Sequence, residues 1–200
     1  MVYNYLYSYY AKTGEFEKAK IEIEKALVLD PLSLRINTSV GDSLFYLERY
    51  DDAIAQYEKT LTLDENFRSA IGNLAWVHVA KENYNAAEVL FNRRKNLINK
   101  PLKGLMGLGF VYAKTGRIKE ANDCLDQIIK RSNKETNVLL EIDLAILYTG
   151  FGDFDKALNH LEKAINEKYG IIYLKTHYGF KELRNKERFI NLLHKVGLKD

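Results

Sequence analysis

The stretch Leu108-Gly109-Phe110-Val111-Tyr112, read with Gly116, Ala121, Leu125 and Ile128 after it, constrains this chain more than any other. It reads as a helix carrying an apolar residue, then a small one, and an aromatic three positions further on. A glycine turn follows, and then a second helix. The same unit returns about every 34 residues along nearly the whole sequence, a period that belongs to stacked helix pairs. One such pair cannot bury its apolar face alone. Stacking makes the core, at least three units are needed, and five can be read here.

The register follows from the landmarks. The first unit, about residues 1–33, ends at Asp30-Pro31, where proline cannot continue the hydrogen-bond ladder. Counting back places Tyr10, Gly14, Phe16, Ala19, Ile23 and Ala26. The second, about 34–67, carries Val40, Gly41, Leu44, Tyr50, Ala53 and Tyr57, with Glu48 where glycine is expected, Thr60 for alanine and Glu65 for proline. The third, about 68–101, keeps Leu74, Ala75, Tyr84, Ala87 and Phe91. It has His78 for an aromatic, Glu82 for the turn glycine and Arg94 for the last small residue, and is the least faithful copy. Pro101 leads into the fourth, about 102–137. The fifth, about 138–169, carries Leu144, Ala145, Tyr148, Gly152, Phe154, Ala157, Leu161 and Ala164. The small residues let paired helices approach closely, and the aromatics and leucines fill the space between units.

The spacing Leu108, Gly109, Tyr112, Ala121 resembles the tetratricopeptide repeat (TPR), and the five copies cover about 170 of the 200 residues. The resemblance implies an all-α fold, a right-handed superhelix or α-solenoid of helix-turn-helix pairs. Residues 170–200 then form a C-terminal capping segment: Ile171-Ile172-Tyr173-Leu174, a short helix around Phe180 and Leu183, and a last amphipathic helix with Phe189, Leu192, Leu193 and Val196 on one stripe. The tail, through Tyr173-Leu174-Lys175, Phe180, Leu183-Arg184, Arg188-Phe189, Leu192-Leu193 and Gly197-Leu198, resembles the segment closing such arrays in bacterial multidomain signalling proteins. Tyr178-Gly179 and Lys186-Glu187 stand where those relatives usually have Asp-Pro. In them the array follows a DNA-binding, nucleotide cyclase or kinase domain, which implies a sensory, docking or oligomerising role.

Composition narrows the function. With 46% hydrophobic and 28% charged residues the chain is globular rather than disordered. No run approaches 18 uncharged apolar residues, and no signal peptide is legible, so no membrane partner is expected. The single cysteine, Cys124, excludes an internal disulfide framework and fits a reducing compartment; a cytoplasmic location is the expectation. A net charge of +3 is too small for a nucleic-acid footprint. The basic clusters Arg93-Arg94-Lys95 and Lys130-Arg131 with Lys134 fall near helix C-termini, where cations suit the helix dipole.

No nucleophile, metal or phosphate motif is present, so no catalytic residue, metal or cofactor is expected and the chain reads as non-enzymatic. The glycines at 104, 107 and 109 lie inside a helix and follow no strand. The four histidines, at 78, 160, 177 and 194, are scattered over different units and the tail. A protein or peptide partner is what remains.

Two surfaces are candidates for it. The TPR resemblance implies that the fifth and ninth positions of each first helix line a concave groove. These are Asn4 and Ser8, Thr38 and Asp42, Gly72 and Trp76, Met106 and Phe110, and Ile142 and Ile146. The Lys, Asn and Arg set used by TPR domains that grip a peptide's C-terminal carboxylate is missing. The positions instead turn from polar to apolar, and Thr38, Asp42, Trp76, Met106, Phe110, Ile142 and Ile146 form the expected groove for an apolar or amphipathic segment. Two alternatives stand beside it: the apolar strip is core between repeats, or the chain's own tail covers it. The second surface is the first helix, where Tyr3, Tyr5, Tyr7 and Tyr9 lie all round and no face is polar, as a self-association (homodimer) face or one covered by an upstream repeat requires.

Overall fold

The computed structural model describes residues 2–97, 102–132, 140–166 and 174–198; Pro101, Lys134, Ile171, Ile172 and Tyr173 lie outside them. Helices follow one another in pairs: α1 (Val2–Thr13) and α2 (Phe16–Leu29), α3 (Leu34–Tyr46) and α4 (Tyr50–Leu63), α5 (Arg68–Ala80) and α6 (Tyr84–Asn96). Then come α7 (Leu102–Lys114) and α8 (Ile118–Ser132), and α9 (Leu140–Phe151) and α10 (Phe154–Asn166). The tail contributes a 3-10 segment, Tyr178–Leu183, and α11 (Glu187–Lys195). There is no strand among the described residues. The chain divides into two compact units, residues 1–97 and 98–200.

The turns inside the pairs share one construction. One or two residues past the end of each first helix a residue takes a left-handed conformation, and the next N–H reaches back to close the helix end. Arg117 donates to the Tyr112 carbonyl at 2.8 Å and Asp153 to that of Tyr148 at 3.0 Å, after Gly116 and Gly152 at φ 75° and 74°. Glycine enters this region without a Cβ clash. Glu48 and Glu82 adopt it too, each at φ 57°, and their turns close in the same way, Arg49 onto Leu44 and Asn83 onto His78. Both glutamates stand where the repeat register expects glycine, so the register overrode the residue's own preference.

In the first unit, α2 packs on α3 and α4 on α5, so one core runs through Ile23, Val40, Leu44, Tyr57 and Leu74. Each second helix carries a fully buried alanine at the same repeat position: Ala19, Ala53 and Ala87 here, Ala121 and Ala157 in the second unit. The buried Asn37 stitches a junction. Its amide donates to the carbonyls of Pro31 and Ser33 at 2.8 and 3.0 Å, and its Oδ1 accepts from Gln56 at 3.0 Å. The unfaithful third repeat has its own compensation. The guanidinium of Arg94, in place of a small residue, fills the space that a Cβ on Gly72 would occupy, only 2.9 Å from Nε and closer to Cζ.

In the second unit α7 pairs with α8 and α9 with α10, and the two pairs meet mainly through α7 on α9, with Leu108, Ile128, Ala145 and Leu161 inside. A Cβ on Gly109 would come 2.7 Å from Leu147 and 3.1 Å from Cys124, so this glycine permits the α7 approach to both α8 and α9. The tail closes the unit. Its 3-10 segment packs on α9 and α11 on α10, burying Leu174, Phe180, Leu183, Phe189 and Leu192. Polar contacts clasp the rim: Arg188 donates to Glu162 at 2.8 Å and Asn159 at 2.6 Å, Lys195 donates to Asn166 at 2.9 Å, and Lys114 pairs with Glu182. The segment around Phe180 and Leu183 is thus a 3-10 turn rather than an α-helix, started by Gly179 N–H donating to His177 Nδ1 at 3.0 Å.

Candidate functional site

Asp42, on α3, is where the helices of the first unit converge. Its neighbour Gly41 sets the geometry. A Cβ there would fall 2.5 to 2.9 Å from ring atoms of Tyr57, so the bare backbone lets the Tyr57 ring of α4 lie flat on α3. The Tyr57 hydroxyl then donates to Asp42 Oδ1 at 2.6 Å. From α5, Asn73 donates its amide to the same oxygen at 2.7 Å. From α1, the Tyr7 phenol interacts with the carboxylate and with Ser39 and Tyr46 of α3. Tyr46 in turn lies 5.2 Å, centroid to centroid, from the ring of Phe16 on α2.

The electrostatics follow from that enclosure. Burial pushes the Asp42 carboxyl up to about 6, against the pull of Tyr57, Asn73 and Tyr7. The phenols of Tyr57 and Tyr7 are raised well above their ordinary value, first by burial and then by the Asp42 charge. Tyr57 is sealed inside, while Tyr7, Ser39, Asp42, Tyr46 and Asn73 each keep a partly exposed edge. The carboxylate is therefore screened from bulk water yet sits just beneath an open face.

The other expected groove residues lie deeper. Thr38 is buried, its hydroxyl donating to the Leu34 carbonyl of its own helix at 2.7 Å. Trp76 meets Phe91 edge-on with centroids 5.4 Å apart. Trp76, Met106, Phe110, Ile142 and Ile146 are between 1% and 4% exposed. Both alternatives to an open strip are represented in the second unit. Phe110 packs on Gly150 of α9, where a Cβ would lie 3.1 Å from the Phe110 Cα. Ile146 is covered by the tail, since a Cβ on Gly179 would come 2.7 Å from its Cγ2.

The tyrosines of α1 divide. Tyr3 and Tyr7 turn inward onto the core of the first unit, with Lys25 over the Tyr3 ring. Tyr5 and Tyr9 point outward, 73% and 52% exposed, with Val2 on the same face. Sequence reasoning named Asp42 as a groove residue but not Tyr7, Ser39, Tyr46 or Asn73 as its surroundings. Tyr57 stood in the repeat register as a packing aromatic. The only local signal for its second role was the Gly41-Asp42 pair opposite it.

Models of the tetratricopeptide repeat match residues 2–31, 34–67 and 104–132. The chain belongs to the tetratricopeptide-repeat proteins. Solved TPR structures share the fold. A thermophilic TPR protein of Thermus thermophilus is 16% identical with a TM-score of 0.61, over 92% of each chain. YrrB, described as a TPR protein with an unusual peptide-binding site, is 19% identical with a TM-score of 0.50, over 86% of this chain and 89% of its own. The APC/C hetero-tetramer Cut9–Hcn1 aligns at 17% identity and a TM-score of 0.61 over 93% of this chain, which spans only 37% of that one. No curated protein matches. Among the described residues of this TPR chain no helix is long and apolar enough to cross a membrane, and no group of three or more His, Cys, Asp or Glu stands close enough to hold a metal.

Proposed function

We propose that this TPR chain is a non-enzymatic protein–protein interaction module, the docking region of a larger bacterial signalling protein, and that it takes an amphipathic segment of its partner. The observation that carries this reading is the partly exposed face formed by Tyr7, Ser39, Asp42, Tyr46 and Asn73, side chains from three first helices gathered round one screened carboxylate. Polar and aromatic groups so placed offer hydrogen bonds and ring contacts to an extended chain. Peptide binding by YrrB supports the reading by analogy of fold. Selection of random peptides on the full chain, followed by amide chemical-shift mapping, tests this. Shifts centred on Tyr7, Ser39, Asp42 and Asn73 are expected; enrichment of no peptide, or shifts elsewhere, overturns it.

A second reading has its own observation. Val2, Tyr5 and Tyr9 form an exposed apolar face on α1, and such a face suits a self-association contact. Sedimentation of the wild type and of the Tyr5→Ser/Tyr9→Ser variant separates the two readings. A dimer lost in the variant favours self-association; a monomer in both removes it.

A further inference from the structure

We infer that Asp42 is the anchor for a cationic side chain, lysine or arginine, on the docked segment. The inference rests on the docking reading and adds the chemistry of the partner. Two donors hydrogen-bond Asp42 Oδ1, the Tyr57 hydroxyl and the Asn73 amide, the Tyr7 phenol approaches from α1, and all three groups are neutral. Enclosed carboxylates are ordinarily paired with a cation or become protonated. The groups that set the protonation of Asp42 are Tyr57 from α4, Asn73 from α5 and Tyr7 from α1, and its own helix adds Tyr46 beside Tyr7. None carries positive charge.

Six cations of the same unit are engaged elsewhere. Lys18 pairs with Glu15, Lys20 with Glu24, Lys25 with Glu22, Arg49 with Asp52 and Lys81 with Asp51, while the Arg94 guanidinium lies over Gly72. The carboxylate has room for a further donor, because an ionised carboxylate accepts about four hydrogen bonds and those from Tyr57 and Asn73 both end on Oδ1. The partly exposed rings of Tyr7 and Tyr46 beside it present aromatic faces to an arriving ammonium or guanidinium. A neutral or acidic residue at that point of the segment would leave the enclosed charge uncompensated, which gives the site its selectivity.

The test uses the full chain and two small probes of equal shape, n-butylguanidinium and the uncharged n-butylurea, followed by NMR at the Asp42 carboxyl carbon and the Tyr7 and Asn73 amides. Saturable shifts with n-butylguanidinium and none with n-butylurea are expected. Binding should be about tenfold weaker at pH 5 than at pH 7, the change in ionised fraction for a midpoint near 6. In the wild type, saturating n-butylguanidinium should lower the Asp42 midpoint, since proton and cation compete for one carboxylate. Asp42→Asn should abolish the discrimination; the wild-type midpoint shift serves as the readout should that variant fold poorly. Equal response to both probes, no saturable response, or an unmoved midpoint overturns the proposal. If selected peptides still map to this face while the probes do not discriminate, the charge preference falls and the docking reading stands; if neither binds there, both fall.

Discussion

The ring of Tyr57 lies directly on the backbone of Gly41, with Cε1 at 2.5 Å and Cζ at 2.9 Å from where a Cβ would be, and this contact delivers the Tyr57 hydroxyl to Asp42. Tyr57 is fully buried and cannot swing aside cheaply. Gly41→Ala should therefore cost about 1–3 kcal/mol by overpacking. It should also uncouple the Tyr57 phenol from the carboxylate. Urea denaturation checks the first effect and the Tyr57 ultraviolet titration the second; a variant as stable as wild type would show that α3 and α4 can part without loss.

Glu48 and Glu82 hold the left-handed conformation that glycine takes at positions 14, 116 and 152. A non-glycine residue there is strained by about 1–2 kcal/mol, and glycine gives part of that back through its freer unfolded state. Glu48→Gly and Glu82→Gly should each stabilise the chain by about 0.5–1 kcal/mol, and their effects should add because they sit in different repeats. Thermal melts of the single and double variants measure this.

Asp42 makes stability fall as pH rises. Its folded-state carboxyl titrates near 6, above the ordinary 3.8, so between those values the folded state binds the proton that the unfolded state has released. Asp42→Asn keeps an acceptor for Tyr57 and Asn73 without the charge. Its stability relative to wild type should rise by about 1–3 kcal/mol between pH 4 and pH 7, from the shift of roughly two units. A gap independent of pH would mean that water reaches the carboxylate freely.

His78 works in the opposite direction. Burial holds its imidazole below the ordinary 6.5, and its Nδ1 is enclosed without a hydrogen-bond partner. The neutral ring is the folded form, so its contribution is complete above the unfolded pKa and is lost as pH falls through 6.5 toward the lowered folded value. His78→Phe, which restores the aromatic of the repeat pattern, should flatten that acid limb. Denaturation curves between pH 5 and 8, compared with wild type, check it.

Gly179 seats the tail. A Cβ there would press on Ile146 Cγ2 at 2.7 Å and on His177 Nδ1 at 3.0 Å. Gly179→Ala should lift the 3-10 segment from α9 and hasten proteolytic cleavage within residues 174–198. An unchanged cleavage rate would mean that the rim contacts of Arg188 and Lys114 hold the tail without it.

Whatever depends on spacing is legible in the chain alone. Helix pairs, their closing turns, the five interhelical alanines and the small residues at 41, 75, 109 and 145 were legible because each is a local demand repeated at one period. Even the departures at Glu48, Glu82 and Arg94 were visible as departures. Tertiary structure decided everything that depends on what lies opposite a residue. Asp42 looked like one groove position among several; that Tyr7, Tyr57 and Asn73 meet it, across 35, 15 and 31 positions of chain, follows from packing that no local pattern encodes. Met106 through Ile146 stood at groove positions, but exposure is a property of the neighbours, and in the second unit Gly150 and the tail supply them. Arg94 shows the same limit in one residue. Its misfit could be read from the register, yet the space at Gly72 that absorbs it exists only where two helices touch.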